Sequence, residues 1–216
     1  MFVIFTGACF FAGIDILLVF FVLTTAAMFF VVAASLPNSP FSRMGAMREL
    51  AQMLAYEPMV LLVAVGFYKA SGTFVIGEIA SRDVSAIVYL PGIFIGFLYI
   101  LTIKFRKSPF DISTSHHAHQ EIVRGVTTEM SGPTLGLVEV MHWCENVLFM
   151  GWVAMFFIWS NPLSIVLAVV VVLAVYFLEI WIDNNFARVK WQLMLKSAWA
   201  VALVAGGLNV AVLAYL

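Results

Sequence analysis

Long apolar runs dominate the chain, and short polar stretches punctuate them at intervals that suit helices. A spanning helix needs about 20 mostly apolar residues. Read on that scale, the runs predict six full spans, at roughly 14–35, 47–68, 86–104, 136–158, 162–182 and 193–215. Residues 1–36 carry a single charge, Asp15, and are too long for one span, so a break is expected at Gly13-Ile14-Asp15. Residues 1–13 then form about half a span. No basic stretch precedes that run, which argues against a secretory leader. The expected fold is an all-α polytopic transmembrane helix bundle of about six full spans plus a partial N-terminal one. It forms a single integral membrane domain over 1–216, with a long loop at 104–135.

Composition sharpens this picture. The chain is 63% hydrophobic and 11% charged, where soluble domains are roughly a quarter charged. A soluble globular domain is excluded, the lipid bilayer is the first expected partner, and nucleic acid is not one. The lysines and arginines then orient the spans. Arg43, Arg48, Lys104, Arg106, Lys107, Arg124, Arg188, Lys190 and Lys196 flank alternate connections, and only Lys69 and Arg82 fall on the other side. By the positive-inside rule the 104–135 loop is cytoplasmic and the C-terminus lies outside, in a multi-pass protein of the cell membrane. No internal repeat of the inverted-transporter kind is visible. Cys9 and Cys144 lie far apart in apolar surroundings without zinc spacing. They read as small buried hydrophobes, and two cysteines are too few for an iron–sulfur cluster. No cofactor or metal is expected on this chain.

Charges inside the spans are the candidate chemistry, because one at mid-bilayer costs about 2.5–3.5 kcal/mol on insertion scales. Glu57 sits near the middle of its span and precedes Pro58, which cannot donate a backbone hydrogen bond and so loosens that turn. Arg48, Gln52 and Tyr56 fall at i, i+4, i+8, and Glu49 and Glu57 are eight apart, which stacks a polar stripe inward from the cytoplasmic end. Glu139, His142 and Glu145 fall at i, i+3, i+6. Such groups are neutral in apolar surroundings and charged beside a partner or water, as a proton relay requires. Inter-helix hydrogen bonding for structure alone is the alternative. Asp15, Glu179 and Asp183 lie near span ends and read as solvated or capping residues.

The stretch KSPFDISTSHHAHQE, residues 107–121, is a polar island in an apolar chain. His116, His117 and His119 invite a metal reading, but neighbouring histidines on a helix diverge and no second ligand pair has zinc-type spacing. Pro109 biases Ser108 away from helix, and Asp111 suits a cap for a short helix in which Glu121 and Arg124 stand at i, i+3. A loop longer than a connection needs serves a site or a partner.

The island, extended to KFRKSPFDISTSHHAHQEIVRGVTTEMSG (104–132), resembles the large cytoplasmic loop of a membrane-protein family of respiratory complex I, the H subunits, also called the NADH dehydrogenase subunit 1 family. The shared frame is P-F-D, an acidic residue before a hydrophobic-x-G, and E-M-S-G. MGAMRELAQMLAYEP (44–58) and FARVKWQLMLKSAW (186–199) resemble two further family segments, and the matches run collinearly along the chain. Where complex I keeps an acidic PEAESE run, this chain has STSHHAHQ, which is similar to the energy-converting membrane-bound NiFe hydrogenases of the Ech and Mbh group. The family normally begins with a further helix, which this chain is expected to lack.

The resemblance implies a non-catalytic, ion-translocating anchor subunit that couples ferredoxin-dependent H2 evolution, or its reverse, to proton or sodium movement. It implies a relay through Glu57, Glu129, Glu139, Glu145, His142, Glu121 and Asp111, with Arg48, Glu49, Gln52 and Tyr56 as a helix stripe. Arg106, Lys107, His116, His117, His119, Arg124 and Arg188 are the implied docking surface. The implied partners are soluble hydrogenase large and small subunits, an iron–sulfur subunit and an antiporter-like membrane subunit. The NiFe centre and iron–sulfur clusters would sit in the soluble partners. The main alternative is the quinone-chamber membrane subunit of a respiratory complex I. A self-sufficient transporter and a passive scaffold stand behind it.

Overall fold

Proline and glycine set several of the helix boundaries. The computed structural model describes residues 1–110, 113 and 124–215, and every regular element among them is helical. These are α1 (Phe2–Phe11), α2 (Ile16–Ser35), α3 (Pro40–Ser71), α4 (Ile76–Ala80), α5 (Pro91–Lys104), α6 (Gly132–Met155), α7 (Leu163–Asn185) and α8 (Trp191–Tyr215). Pro40 and Pro91 open α3 and α5, where the missing N–H costs nothing. The expected break falls at Gly13, whose φ of +73° suits a residue without Cβ. Asp15 then caps α2, accepting from the N–H groups of Leu17 and Leu18, as its capping reading expects.

Connections alternate between two ends of the bundle. At one end the 12–15 break pairs with 74–77, and Ile87 N–H donates to the Phe156 carbonyl. At the other, Ser42 Oγ–H donates to the Ala34 carbonyl and Val189 N–H to the Pro109 carbonyl. The second end carries Arg43, Arg106, Lys107, Arg124, Arg188 and Lys190, and is called the basic end below.

Among the described residues, four helices are long and apolar enough to cross a membrane by themselves: α2, α3, α7 and α8. The span expected over 86–104 is a 3-10 turn at Ala86–Val88 followed by α5. At 1.5 Å per residue α5 is about 21 Å long, short of a ~30 Å hydrocarbon core. α6 is long enough but interrupted by Glu139, His142 and Glu145. The bundle is thus a polytopic membrane protein in which two of the six expected spans depend on their neighbours. The half-span expected at the N-terminus is α1. Cys9 is buried, Cys144 half-buried, and both are free thiols.

Trp152, Phe67, Phe97, Phe149 and Phe156 form the centre of the core, with ring pairs of Phe97 on Trp152 and Phe156. α7 and α8 turn long apolar faces outward, as lipid-facing helices do.

Two local features place the site. Pro58 stays inside α3, so the Leu54 carbonyl loses its helical donor. Trp199 Nε1–H of α8 takes that carbonyl at 3.0 Å, so the turn before Glu57 is held across helices instead of being loosened. Gly45 is where residues 125–126 press on α3. A Cβ there would collide with Val126 N and lie 2.6 Å from Gly125 C. Gly45→Ala is therefore expected to push residues 124–127 off α3, at about 1–3 kcal/mol for overpacking. Limited trypsinolysis checks this: cleavage after Arg124 accelerates in the variant, and an unchanged rate would show that the contact holds nothing in place.

Candidate functional site

α3 supplies Glu49, Gln52 and Tyr56 at i, i+3, i+7, all buried on one face. Lys104 ends α5, and Arg106 follows two residues later with a φ of +52°, a region that residues with a Cβ seldom occupy. α6 supplies His142 and Glu145. These elements meet near the basic end, and the charged groups interlock.

The Arg106 guanidinium donates twice to Glu49, from Nη2 to Oε1 at 2.6 Å and from Nε to Oε2 at 3.3 Å. Its Nη1 lies 3.6 Å from Glu145 Oε2. Lys104 Nζ donates to Glu145 Oε1 at 3.3 Å and to the Tyr56 hydroxyl at 3.1 Å. The Lys104 ammonium also lies over the Tyr56 ring, 4.5 Å from its centroid. Two cations and two carboxylates cancel, which is how buried charges are held in an apolar interior. For Arg106, outside the helices, burial opposes the charge, but Glu49 and Glu145 outweigh it and hold the guanidinium above the usual arginine range. Gln52 Nε2–H donates to the Phe110 carbonyl at 2.6 Å and pins the start of the loop to α3. Gln52 Oε1 and His142 Nε2 make no hydrogen bond with the described residues. The arrangement can therefore store a compensated charge set and still accept a further hydrogen bond.

The structure sorts the sequence candidates. Glu49, Gln52, Tyr56, His142 and Glu145 come together, while Arg48 is half-buried on the flank of the stripe. The working spacing is 49, 52, 56 and not 48, 52, 56. Glu57 is half-buried beside Thr24 and outside the cluster. Glu139 and Glu129 are exposed. The i, i+6 offset turns Glu139 about 120° from Glu145 at 100° per residue, so the two do not share a face. Asp111, His116, His117, His119 and Glu121 lie outside the described residues. Arg106, implied as docking surface, is a buried side chain, drawn into the interior by its carboxylate partners. Lys107 pairs with Asp183, while Arg124 and Arg188 are exposed at the basic end. Glu179, read as interfacial, is buried on α7. Lys104 is the member that sequence reasoning misses. It counts there only for topology, although a lysine closing the apolar run FLYILTIK has nowhere to reach but inward or along the helix.

A family model described as NADH dehydrogenase matches residues 1–214. Among similar proteins, the H subunit of NADH-quinone oxidoreductase from Anoxybacillus flavithermus is 31% identical over 97% of this chain. The H subunit numbered 2 of the same enzyme from Geobacter sulfurreducens is 30% identical over 90% of it. The chain spans 66% and 60% of the length of these two relatives. Among solved structures, a chain of the membrane-bound sulfane sulfur reductase, an archaeal respiratory membrane complex, superposes with a TM-score of 0.80 at 21% identity. The match covers 98% of this chain and 78% of that one. That last likeness is one of fold.

Proposed function

Because the chain belongs to the NADH dehydrogenase family, we propose that it is the ion-translocating membrane subunit of an energy-converting oxidoreductase complex. Its soluble arm, on this reading, is a NiFe hydrogenase fed by ferredoxin, and turnover there moves protons or sodium ions through the membrane arm. The observation that carries the coupling role is the neutral set of four buried charges, Glu49, Arg106, Glu145 and Lys104, contributed by α3, the α5 terminus and α6. A passive anchor would gain more from apolar residues of similar volume, since buried ion pairs are often neutral or costly against such replacements. Three of the four charges are attached to, or packed under, the root of the 105–131 loop. Force applied to that loop by a docked subunit reaches the cluster directly.

The basic end faces the cytoplasm on this reading, by the positive-inside rule, and the C-terminus faces out. The redox subunits dock at that end, on the loop and on Lys107, Arg124 and Arg188. The NiFe centre and iron–sulfur clusters belong to those partners, and an antiporter-like subunit abuts the membrane face. The histidine-bearing STSHHAHQ in place of an acidic run favours the hydrogenase arm. The names of the two relatives favour a second reading, the quinone-chamber subunit of a respiratory complex I.

Metal content of the complex that co-purifies with this chain in mild detergent separates the two. Nickel with abundant iron is the expected result. Iron without nickel, together with quinone reduction by the complex, supports the second reading. Neither metal contradicts both.

A further inference from the structure

Among the described residues, one buried acid lies outside the four-charge cluster. Glu179 of α7 is 1% exposed, and neither of its carboxylate oxygens accepts a hydrogen bond from a described residue. It lies about 9 Å along the axis from the end of α7 at Asn185. The charges that act on it are Lys107 and Asp183. Asp183 is one turn onward on the same face, with about 5–6 Å between Cβ atoms at that spacing. Asp183 itself is held from the other side. Lys107 Nζ lies 3.2 Å from its Oδ2, and Ser108 N–H donates to Oδ1 at 2.8 Å. The Lys107 and Asp183 side chains are 38% and 32% exposed, so this pair meets water while Glu179 does not.

The contrast with the cluster is physical. Glu49 and Glu145 each have a cation at hydrogen-bonding distance. Glu179 has no donor among the described residues, and an ionised carboxylate without one is costly in an apolar interior. We propose that Glu179 is a second proton-binding site, loaded from the basic end through Asp183 and gated by Lys107. The transfer is simple: an O–H bond at Asp183 breaks as one forms at Glu179, and Asp183 is left as a carboxylate that the next proton from water can reach. Lys107 controls entry, because its ammonium occupies Asp183 Oδ2 at 3.2 Å while the pair is closed.

The two sites are joined by covalent chain. Lys104, Arg106 and Lys107 lie on one short segment, the first two in the cluster and the third on Asp183. A shift of that segment which loosens Arg106 from Glu49 also draws Lys107 from Asp183. This inference goes beyond the proposed function, since it holds whichever redox arm is docked.

Infrared difference spectroscopy of the purified complex, transferred from H2O to D2O, tests it. The expected result is a protonated-acid carbonyl band that shifts in D2O and is missing in Glu179→Gln. In Asp183→Asn, which leaves Glu179 in place and alters only a surface-reaching residue, the band remains but its shift slows at least tenfold. A band unchanged in Glu179→Gln overturns the assignment. A Glu179 band that never shifts marks a sealed acid that only bonds within the bundle, and overturns the site. A shift equally fast in Asp183→Asn overturns the entry route.

Discussion

Arg106→Ala is expected to destabilise the chain by about 3–5 kcal/mol, the usual cost of removing one partner from a buried ion pair. The side chain is 10% exposed and Glu49 is 5% exposed, so solvent does little to screen the charge left behind. Two donated hydrogen bonds to Glu49 vanish together, and the contact to Glu145 with them. For a chain of this length the loss corresponds to a fall of roughly 6–20 °C in the unfolding midpoint. Thermal scanning in detergent checks it. Glu49→Gln with Arg106→Met removes one charge of each sign and leaves Lys104 and Glu145 paired. That double variant is expected to recover most of the midpoint. Equal losses in the single and double variants would mean that the guanidinium contributes packing and not charge compensation.

Glu145→Gln is expected to abolish ion movement while electron transfer continues. Glu145 is the acid that touches both cations, Lys104 through Oε1 and Arg106 through Oε2. Without its charge the cluster carries a net positive charge, and Lys104 loses its carboxylate partner while keeping the Tyr56 hydroxyl and the faces of Tyr56 and Phe149. A cluster locked to one charge state cannot cycle. In native membranes, electron transfer by the unmodified complex is expected to accelerate when an uncoupler removes the opposing gradient. In Glu145→Gln the rate is expected to be insensitive to the uncoupler. Glu145→Asp keeps the charge at shorter reach and is expected to retain part of the response. A full uncoupler response in Glu145→Gln would place the coupling elsewhere in the chain.

Much of this arrangement is legible in the sequence because lipid restricts the choices. The break at Gly13–Asp15 follows from a run too long for one span and a single acid able to cap the next helix. The 49–56 stripe follows from helical spacing, although spacing alone assigns its face one residue early. Spacing turns Glu139 and Glu145 about 120° apart on α6, and it does not say which of the two faces the bundle. Lys104 and Arg106 are hidden because a cation next to a span end is ordinarily a topology marker. Their inward course depends on α5 ending short of the bilayer and on the left-handed backbone at Arg106, and neither is written in composition. Glu179 is hidden for the opposite reason. Its place near a span end suggests water, while the packing of α7 at that level buries it.

On the proposed coupling role, the neutral set of buried charges moves ions when the redox arm turns over. The decisive measurement is the number of ions moved per electron transferred in vesicles reconstituted with the purified complex, for the unmodified protein and for Glu145→Gln. The expected result is a ratio that falls to near zero in the variant at a largely retained electron-transfer rate. An unchanged ratio at an unchanged rate would contradict the coupling role and leave the cluster a structural one.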